Sequence, residues 1–277
     1  MSRIALISLS NQGAQLLQLV RPHFKDSACF FHRVVSERFD GERFDRIENL
    51  TCSIFKRFTG LVYAVPCGVV VRSLQGVPQH KKKDPAVVVL DVGGRYAISL
   101  LSGHEGGANQ MALTIANIVH AEPVITTTTE ALKTIIVGIG CRRGVGSKNI
   151  VAAINNALSK VNLTLPQVRL LASAEIKARE VGLLEAAQTL NIPIRFISHA
   201  EILNSRCCKE ASSFTLKKVG LPGVSEPAAL LAGRRTELLL PKTIYPGITV
   251  AIAREQCVWS VSDQVENRTA PFAPKQP

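Results

Sequence analysis

The sequence predicts an α/β fold made of two α/β domains, with mostly parallel sheets and helices on both faces. Three observations predict it. Short apolar runs of strand length alternate along the chain with apolar residues at helical spacing, the pattern of parallel strands covered by helices. Glycine-bearing turns join the two kinds of segment. The length of 277 residues, 46% of them apolar, suits about two cores, since domains of about 100–200 residues are usual.

Residues 4–9 form the first predicted strand, and Asn11-Gln12-Gly13 opens a helix with Leu16, Leu17, Leu19 and Val20 facing inward. Residues 33–59 carry charges around Phe39, Phe44 and Phe55 and show no clear period. Strands are predicted over 61–65 and, after a charged turn with Lys81-Lys82-Lys83, over 86–90. Asp91-Val92-Gly93-Gly94-Arg95 predicts a hairpin turn into a strand over 96–101. After Ser102-Gly103-His104-Glu105-Gly106-Gly107, the residues Ala108, Met111, Ala112, Ile115 and Val119 recur at helical spacing. A short strand is expected over 124–126 and a hydroxyl-rich loop over 126–130.

The α/β rhythm restarts with a strand over 134–139, a strand-to-helix turn over 138–144, and Ser147 as the cap of a helix bearing Ile150, Ile154, Ala157, Leu158 and Val161. A strand over 168–172 follows, then a helix with Leu183, Leu184, Ala187 and Leu190 inside, then a strand over 194–197. Ser225 caps a further predicted helix with Pro227 in its first turn, and residues 238–240 and 248–253 make a closing hairpin. The predicted domains are 1–132 and 133–264, followed by a Pro-rich tail over 265–277.

The formal charge of +12 points to an anionic partner. Nucleic acid is disfavoured by three Tyr, one Trp and no recognisable binding motif. No apolar stretch approaches the roughly 20 residues of a membrane span, and residues 4–9 are too short for a signal peptide core. Seven cysteines lie scattered apart from adjacent Cys207-Cys208, which reads as reduced thiols of a cytoplasmic protein.

Two stretches carry chemistry. The turn at residues 102–109 gathers Ser102, His104, Glu105 and Asn109 between a strand and a helix. Gly103, Gly106 and Gly107 permit backbone angles and close approach that a side chain forbids. A helix start offers unpaired N–H groups and partial positive charge, suited to a carboxylate or a developing oxyanion. His104 is singled out for general acid–base work, with an ordinary surface histidine as the alternative. Ser102 and Glu105 read equally as turn and capping residues.

The second stretch is Gly138-Ile139-Gly140-Cys141-Arg142-Arg143-Gly144. It fails as a dinucleotide fingerprint because Arg143 replaces the third glycine and no acid closes the next strand near Ala172. Ser147-Lys148 has the wrong order and spacing for a P-loop. Adjacent arginines on a glycine turn fit a carboxylate or phosphate clamp, since guanidinium forks bind oxyanions bidentately; the plain alternative is a solvated pair. Cys141 is either a nucleophile at a helix start or a small packing thiol. The lysine run reads as a solvated turn that adds to the positive field.

Leu100-Leu101-Ser102-Gly103-His104 with Gly106-Gly107-Ala108-Asn109 closely resembles the signature of the cobalt-precorrin-5A hydrolase family of anaerobic cobalamin biosynthesis. Lys83-Asp84-Pro85-Ala86-Val87-Val88-Val89 and Val124-Ile125-Thr126-Thr127-Thr128 resemble its flanking segments. The stretch from Gly138 to Gly144, residues 172–183 and Glu226-Pro227-Ala228-Ala229-Leu230-Leu231-Ala232 resemble its carboxy-terminal domain, so the likeness covers most of residues 1–255. Members commonly carry a middle segment, whereas here residues 126–130 run almost directly into 137–140. The carboxy-terminal domain alone is also similar to a protein of the aerobic route.

The resemblance implies a hydrolase that opens the ring A δ-lactone of cobalt-precorrin-5A, releases acetaldehyde and leaves cobalt-precorrin-5B. Its substrate is a tetrapyrrole ringed with acetates and propionates, a polyanion that suits the charge of +12. Cobalt belongs to that substrate, so no cofactor and no protein-bound metal is expected. His104 and Glu226 are the candidate catalytic groups, Glu226 as a carboxylate that orients water or a basic partner. Ser102, Gly103, Gly106, Gly107, Asn109, Cys141, Arg142, Arg143 and Gly144 are the candidate substrate contacts. The breadth of a tetrapyrrole predicts a cleft between the domains lined by 103–109 and 140–144, with 130–134 as a short hinge. A homodimer stays open as a partner; nucleic acid and membrane do not. The rival functions are a non-catalytic corrinoid carrier and, more distantly, a nucleotide-binding regulator.

Overall fold

The computed structural model describes residues 3–205 and 223–256. The chain forms two compact units, Met1–Leu132 and Lys133–Pro277. Cys207-Cys208 and the predicted tail over 265–277 lie outside the described residues.

In the first unit, β1 (Ile4–Ser8), β2 (Ser27–His32), β3 (Glu42–Phe44), β4 (Gly60–Ala64), β5 (Ala86–Leu90), β6 (Tyr96–Leu101) and β7 (Glu122–Val124) form one sheet in the order β3-β2-β1-β4-β5-β6-β7. All neighbours run parallel except β5 and β6, which make the predicted hairpin. Asp91 builds its turn by accepting the backbone amides of Gly93, Arg95 and Tyr96 and the Arg95 side chain. Burial pushes the Asp91 carboxyl up, but those hydrogen bonds outweigh it and hold the group below its ordinary value.

Helices α1 (Asn11–Val20) and α4 (Ala108–Val119) cover the face bearing Leu6, Val62, Val88 and Leu90. Helices α2 (Ile47–Ile54) and α3 (Cys67–Ser73) cover the face bearing Ile7, Leu61, Tyr63, Val87 and Val89. Successive strand residues thus belong to opposite cores, which is why these strands read as unbroken apolar runs. Each such Leu or Val contributes about 1.5–3 kcal/mol by its burial.

Ser10 caps α1 by accepting the Gly13 amide at 3.1 Å, and Gly13 is required because a Cβ there would meet the Ala64 carbonyl of the sheet. The buried face of α1 is Gly13, Ala14, Leu17 and Val20. Leu19, expected inside, is 58% exposed: it lies two residues from Leu17, about 200° around the helix. The unreadable stretch over 33–59 contains β3 and α2, whose Ile47, Leu50 and Ile54 pack with Phe55 and Phe58. The strand expected over 124–126 is Glu122–Val124, and the hydroxyl-rich segment turns into a short helix, α5 (Thr128–Ala131), rather than staying a loop.

In the second unit, β8 (Ile135–Cys141), β9 (Val168–Ala174), β10 (Ile194–Ile197), β11 (Thr236–Tyr245) and β12 (Ile248–Glu255) form a sheet in the order β10-β9-β8-β12-β11. The first three are mutually parallel, and the β11–β12 hairpin adds antiparallel to β8. Helices α6 (Ser147–Lys160) and α7 (Val181–Leu190) cover one face; α8 (His199–Asn204) and α9 (Ser225–Leu231) cover the other. Both units therefore show the predicted α/β class.

Several local expectations are corrected. Strand β8 continues through Cys141, so Gly138 and Gly140 are strand residues and the turn is confined to 142–146. Their glycine character serves close packing: a Cβ on Gly138 would overlap the Ser225 carbonyl of α9, and one on Gly140 would meet Thr249 Oγ1 of β12 at 2.5 Å and crowd Val224 at 3.3 Å. Gly146 and Val224 occupy the N-cap positions expected for Ser147 and Ser225, and neither gives a side-chain cap. Leu184 is 40% exposed, because α7 turns its Leu183, Ala186 and Ala187 edge to the core.

Candidate functional site

At the end of β6 the chain reverses into α4 through Ser102, His104, Glu105 and three glycines. Ser102 adopts φ 57°, the left-handed region that costs a non-glycine residue about 1–2 kcal/mol. Its carbonyl accepts the amides of Gly106 at 3.1 Å and Ala108 at 3.2 Å, and the Gly103 carbonyl accepts that of Asn109 at 3.0 Å. The first amides of α4 are therefore used within the turn, against the expectation that they stand unpaired. A Cβ on Gly103 would meet Thr127 Cγ2 at 2.6 Å, and one on Gly106 would overlap Ser102 itself. Gly107 takes φ 85° as the N-cap of α4.

The Asn109 amide is committed inside this corner. Ser99 Oγ donates to its Oδ1 at 2.8 Å, and its Nδ2 donates to Thr127 Oγ1 at 2.9 Å, tying β6, α4 and the threonine segment together. Asn109 thus shapes the turn. His104 and Glu105 are both exposed on it. Lys81 Nζ lies 3.2 Å from Glu105 Oε1, so the lysine run is more than a solvated turn. The hydrogen bond from Lys81, with help from the residue's own amide, holds the Glu105 carboxyl below its ordinary value. Asp84 folds the lysine turn by accepting the amides of Gln79 and His80, each at 2.9 Å.

In the second unit, Arg142, Arg143 and Gly144 form an exposed turn beyond the carboxyl end of β8. Among the described residues neither guanidinium takes an ion pair or a hydrogen bond, so both are available to an anion. Gly144 has φ 78°, and its amide donates to Glu180 Oε1 at 2.7 Å. Glu180 Oε2 lies 3.6 Å from Lys177 Nζ. The Arg142 amide donates to the Gly247 carbonyl at 2.8 Å, fastening the other side of the turn to the β11–β12 hairpin. Cys141 packs against the α6–α7 core, and burial pushes its thiol up, the opposite of an activated nucleophile.

Glu226 sits in the first turn of α9, and its Oε1 accepts the Lys242 amide at 2.7 Å, where β11 departs from regular pairing. That bond pins a strand irregularity. Sequence reasoning missed Glu180, Lys177, Ser99, Thr127, Lys81 and Asp84. The hydroxyl-rich segment containing Thr127 and the lysine run containing Lys81 carried local signals; Asp84 and Lys177 act over three to five positions, while Glu180 reaches Gly144 36 positions away and Ser99 reaches Asn109 10 positions away. Among the described residues no three His, Cys, Asp or Glu side chains gather into a metal-binding group, and no helix is long and apolar enough to cross a membrane.

Comparison with known proteins places these turns. The family described as "Cobalamin synthesis G N-terminal" matches residues 49–130, and "Cobalamin synthesis G C-terminus" matches residues 135–253. The chain belongs to the cobalamin synthesis G family. Each turn lies within one of the two matched ranges. A relative in this family, "Cobalt-precorrin-5A hydrolase" of Priestia megaterium, is 24% identical over 90% of this chain and 94% of its own. "Probable cobalt-precorrin-5A hydrolase" of Methanocaldococcus jannaschii is 25% identical over 71% of this chain and 85% of its own. "Protein CobE" of a Sinorhizobium species is 32% identical over 46% of this chain and 83% of its own. The P. megaterium alignment runs over 352 positions, more than the 277 residues here, so that relative carries segments this cobalamin synthesis G protein lacks. Here the two family halves are separated only by residues 131–134.

Proposed function

We propose that this chain is a cobalt-precorrin-5A hydrolase, which opens the ring A δ-lactone with water and releases acetaldehyde to leave cobalt-precorrin-5B. The observation that carries this reading is that both family halves stand in one chain spanning 94% of a relative that bears that name. The exposed arginine pair supports it: Arg142 and Arg143 suit the carboxylate rim of a tetrapyrrole, because each guanidinium can take a carboxylate through two parallel hydrogen bonds. The cobalt travels in the tetrapyrrole and is part of the substrate.

The chemistry assigns His104 to proton transfer. Water adds to the lactone carbonyl carbon while the imidazole takes its proton. The ring C–O bond then breaks, and the proton passes to the departing alkoxide. The freed alcohol gives up its O–H proton, its C–O bond becomes C=O, and the C–C bond to the macrocycle breaks. Acetaldehyde leaves, and the electron pair with a proton stays on the macrocycle.

The test is direct: the full chain is incubated with the lactone under anaerobic conditions and acetaldehyde is measured. Release with turnover supports the hydrolase. Tight binding of the lactone without acetaldehyde would replace it with the carrier.

A further inference from the structure

We propose that the Ser102 hydroxyl is reserved for an oxyanion of the substrate: the lactone carbonyl oxygen as it gains charge, and the carboxylate oxygen that succeeds it. The identity of that oxyanion rests on the hydrolase reading; the existence of the subsite rests on three features of the turn.

Ser102 is held at φ 57°, a conformation seldom taken by residues other than glycine, asparagine and aspartate, and its carbonyl is fixed there by the Gly106 and Ala108 amides. Its side chain is also orphaned. The residue is 8% exposed, and its Oγ is buried with no hydrogen-bond partner in the protein, where buried hydroxyls nearly always have one. Finally, it stands at the foot of the 12-residue α4, whose first turn contains no acid and whose N-cap, Gly107, gives no side-chain cap. The Ala108 and Asn109 amides are taken by the Ser102 and Gly103 carbonyls, so what the helix end offers is its positive field, met by no acid in the first turn.

A residue chosen only to shape the turn would be glycine, which removes the strain, or alanine, which removes the orphaned hydroxyl. Ser102 carries both costs at one position, and such local inconsistencies gather at functional sites. A Cβ on Gly106 would overlap the Ser102 side chain, and Gly107 faces open space. In the reaction Ser102 donates a hydrogen bond to the carbonyl oxygen as water adds. It forms no covalent bond and surrenders no proton, and its contribution is stabilisation of developing negative charge.

The experiment compares the full-length wild type with S102A and S102G by thermal melting, by acetaldehyde release from cobalt-precorrin-5A, and by absorbance titration with the opened product carboxylate. Both variants are expected to melt at or above the wild-type temperature. Both should lose roughly 10–100-fold in kcat/KM and in product affinity, the range for a hydrogen bond to a charged group. S102G should melt highest because it also relieves the backbone strain. Wild-type kcat/KM and affinity in the variants would overturn the proposal, as would a melting temperature lowered by several degrees, which would make the hydroxyl a structural partner. If the wild type releases no acetaldehyde, the hydrolase reading fails and the titration alone decides: weaker product binding by S102A supports the subsite, and equal or absent binding by both proteins overturns it.

Discussion

Glu180 accepts the Gly144 amide at 2.7 Å, so the residue that precedes α7 holds the arginine turn 36 positions upstream. Its carboxylate also faces Lys177 Nζ at 3.6 Å, and both side chains are mostly buried. The first turn of α7 is pressed against the same loop, since a Cβ on Gly182 would overlap the Val145 carbonyl. The arginine pair is thereby presented on a fixed backbone.

Replacing Glu180 by alanine leaves the Gly144 amide and the Lys177 ammonium without their partner. E180A should lose about 1–3 kcal/mol of stability, the usual cost of an orphaned group beside a charge, and should bind the tetrapyrrole more weakly. E180Q retains an acceptor for the amide and should fall between E180A and wild type. Thermal melts and absorbance titrations check both; equal binding by all three proteins would show that the turn does not depend on Glu180.

Charge supplies the next prediction. Exposed arginines act through a field screened within about 8 Å at physiological ionic strength, so tetrapyrrole affinity should fall as salt rises. R142A and R143A should each weaken binding, and the double variant should flatten the salt dependence. An affinity indifferent to salt and to both substitutions removes the clamp.

How much of this was legible in the sequence depends on the range of the interactions. The β6–α4 turn was readable because strand, glycines and helical stripe follow one another within about twenty residues. The hairpin at Asp91 was readable for the same reason. Gly138 and Gly140 read as turn residues in the sequence because their close neighbours, Ser225, Thr249 and Val224, lie more than eighty residues away and no local pattern reports them. Leu19 and Leu184 were placed inside because apolarity marks a helix face only to within about one residue, or 100° of rotation. At the candidate site, the motifs named the turns but not their supports. The Ser99–Asn109–Thr127 chain and the Glu180–Gly144 bond exist only in three dimensions.

Asp91 gives a pH test of the first unit. Its carboxyl lies below the ordinary value in the folded state, so the stability it contributes is complete above the unfolded carboxyl range and is lost as pH falls through the lower folded value. D91N should therefore melt below wild type at neutral pH, by about 1 kcal/mol of stability. The gap should persist to about pH 5 and close as pH drops below about 4. A gap that widens in acid would contradict the assignment.

Cys141 gives a chemical one. Its raised thiol and partial burial should make it slower to alkylate at neutral pH than exposed Cys52, with the rate climbing as the solution becomes alkaline. Site-resolved mass spectrometry after brief iodoacetamide treatment reads the order; Cys141 labelled first would restore it as an activated nucleophile.

The central claim is that His104 moves protons in a lactone hydrolysis, and it is tested most directly by single-turnover acetaldehyde release from cobalt-precorrin-5A bound to wild type and to H104A. The account predicts near-normal binding by H104A with release slowed roughly 10²–10⁴-fold, the share of a positioned acid–base group. Release by H104A at the wild-type rate would contradict it.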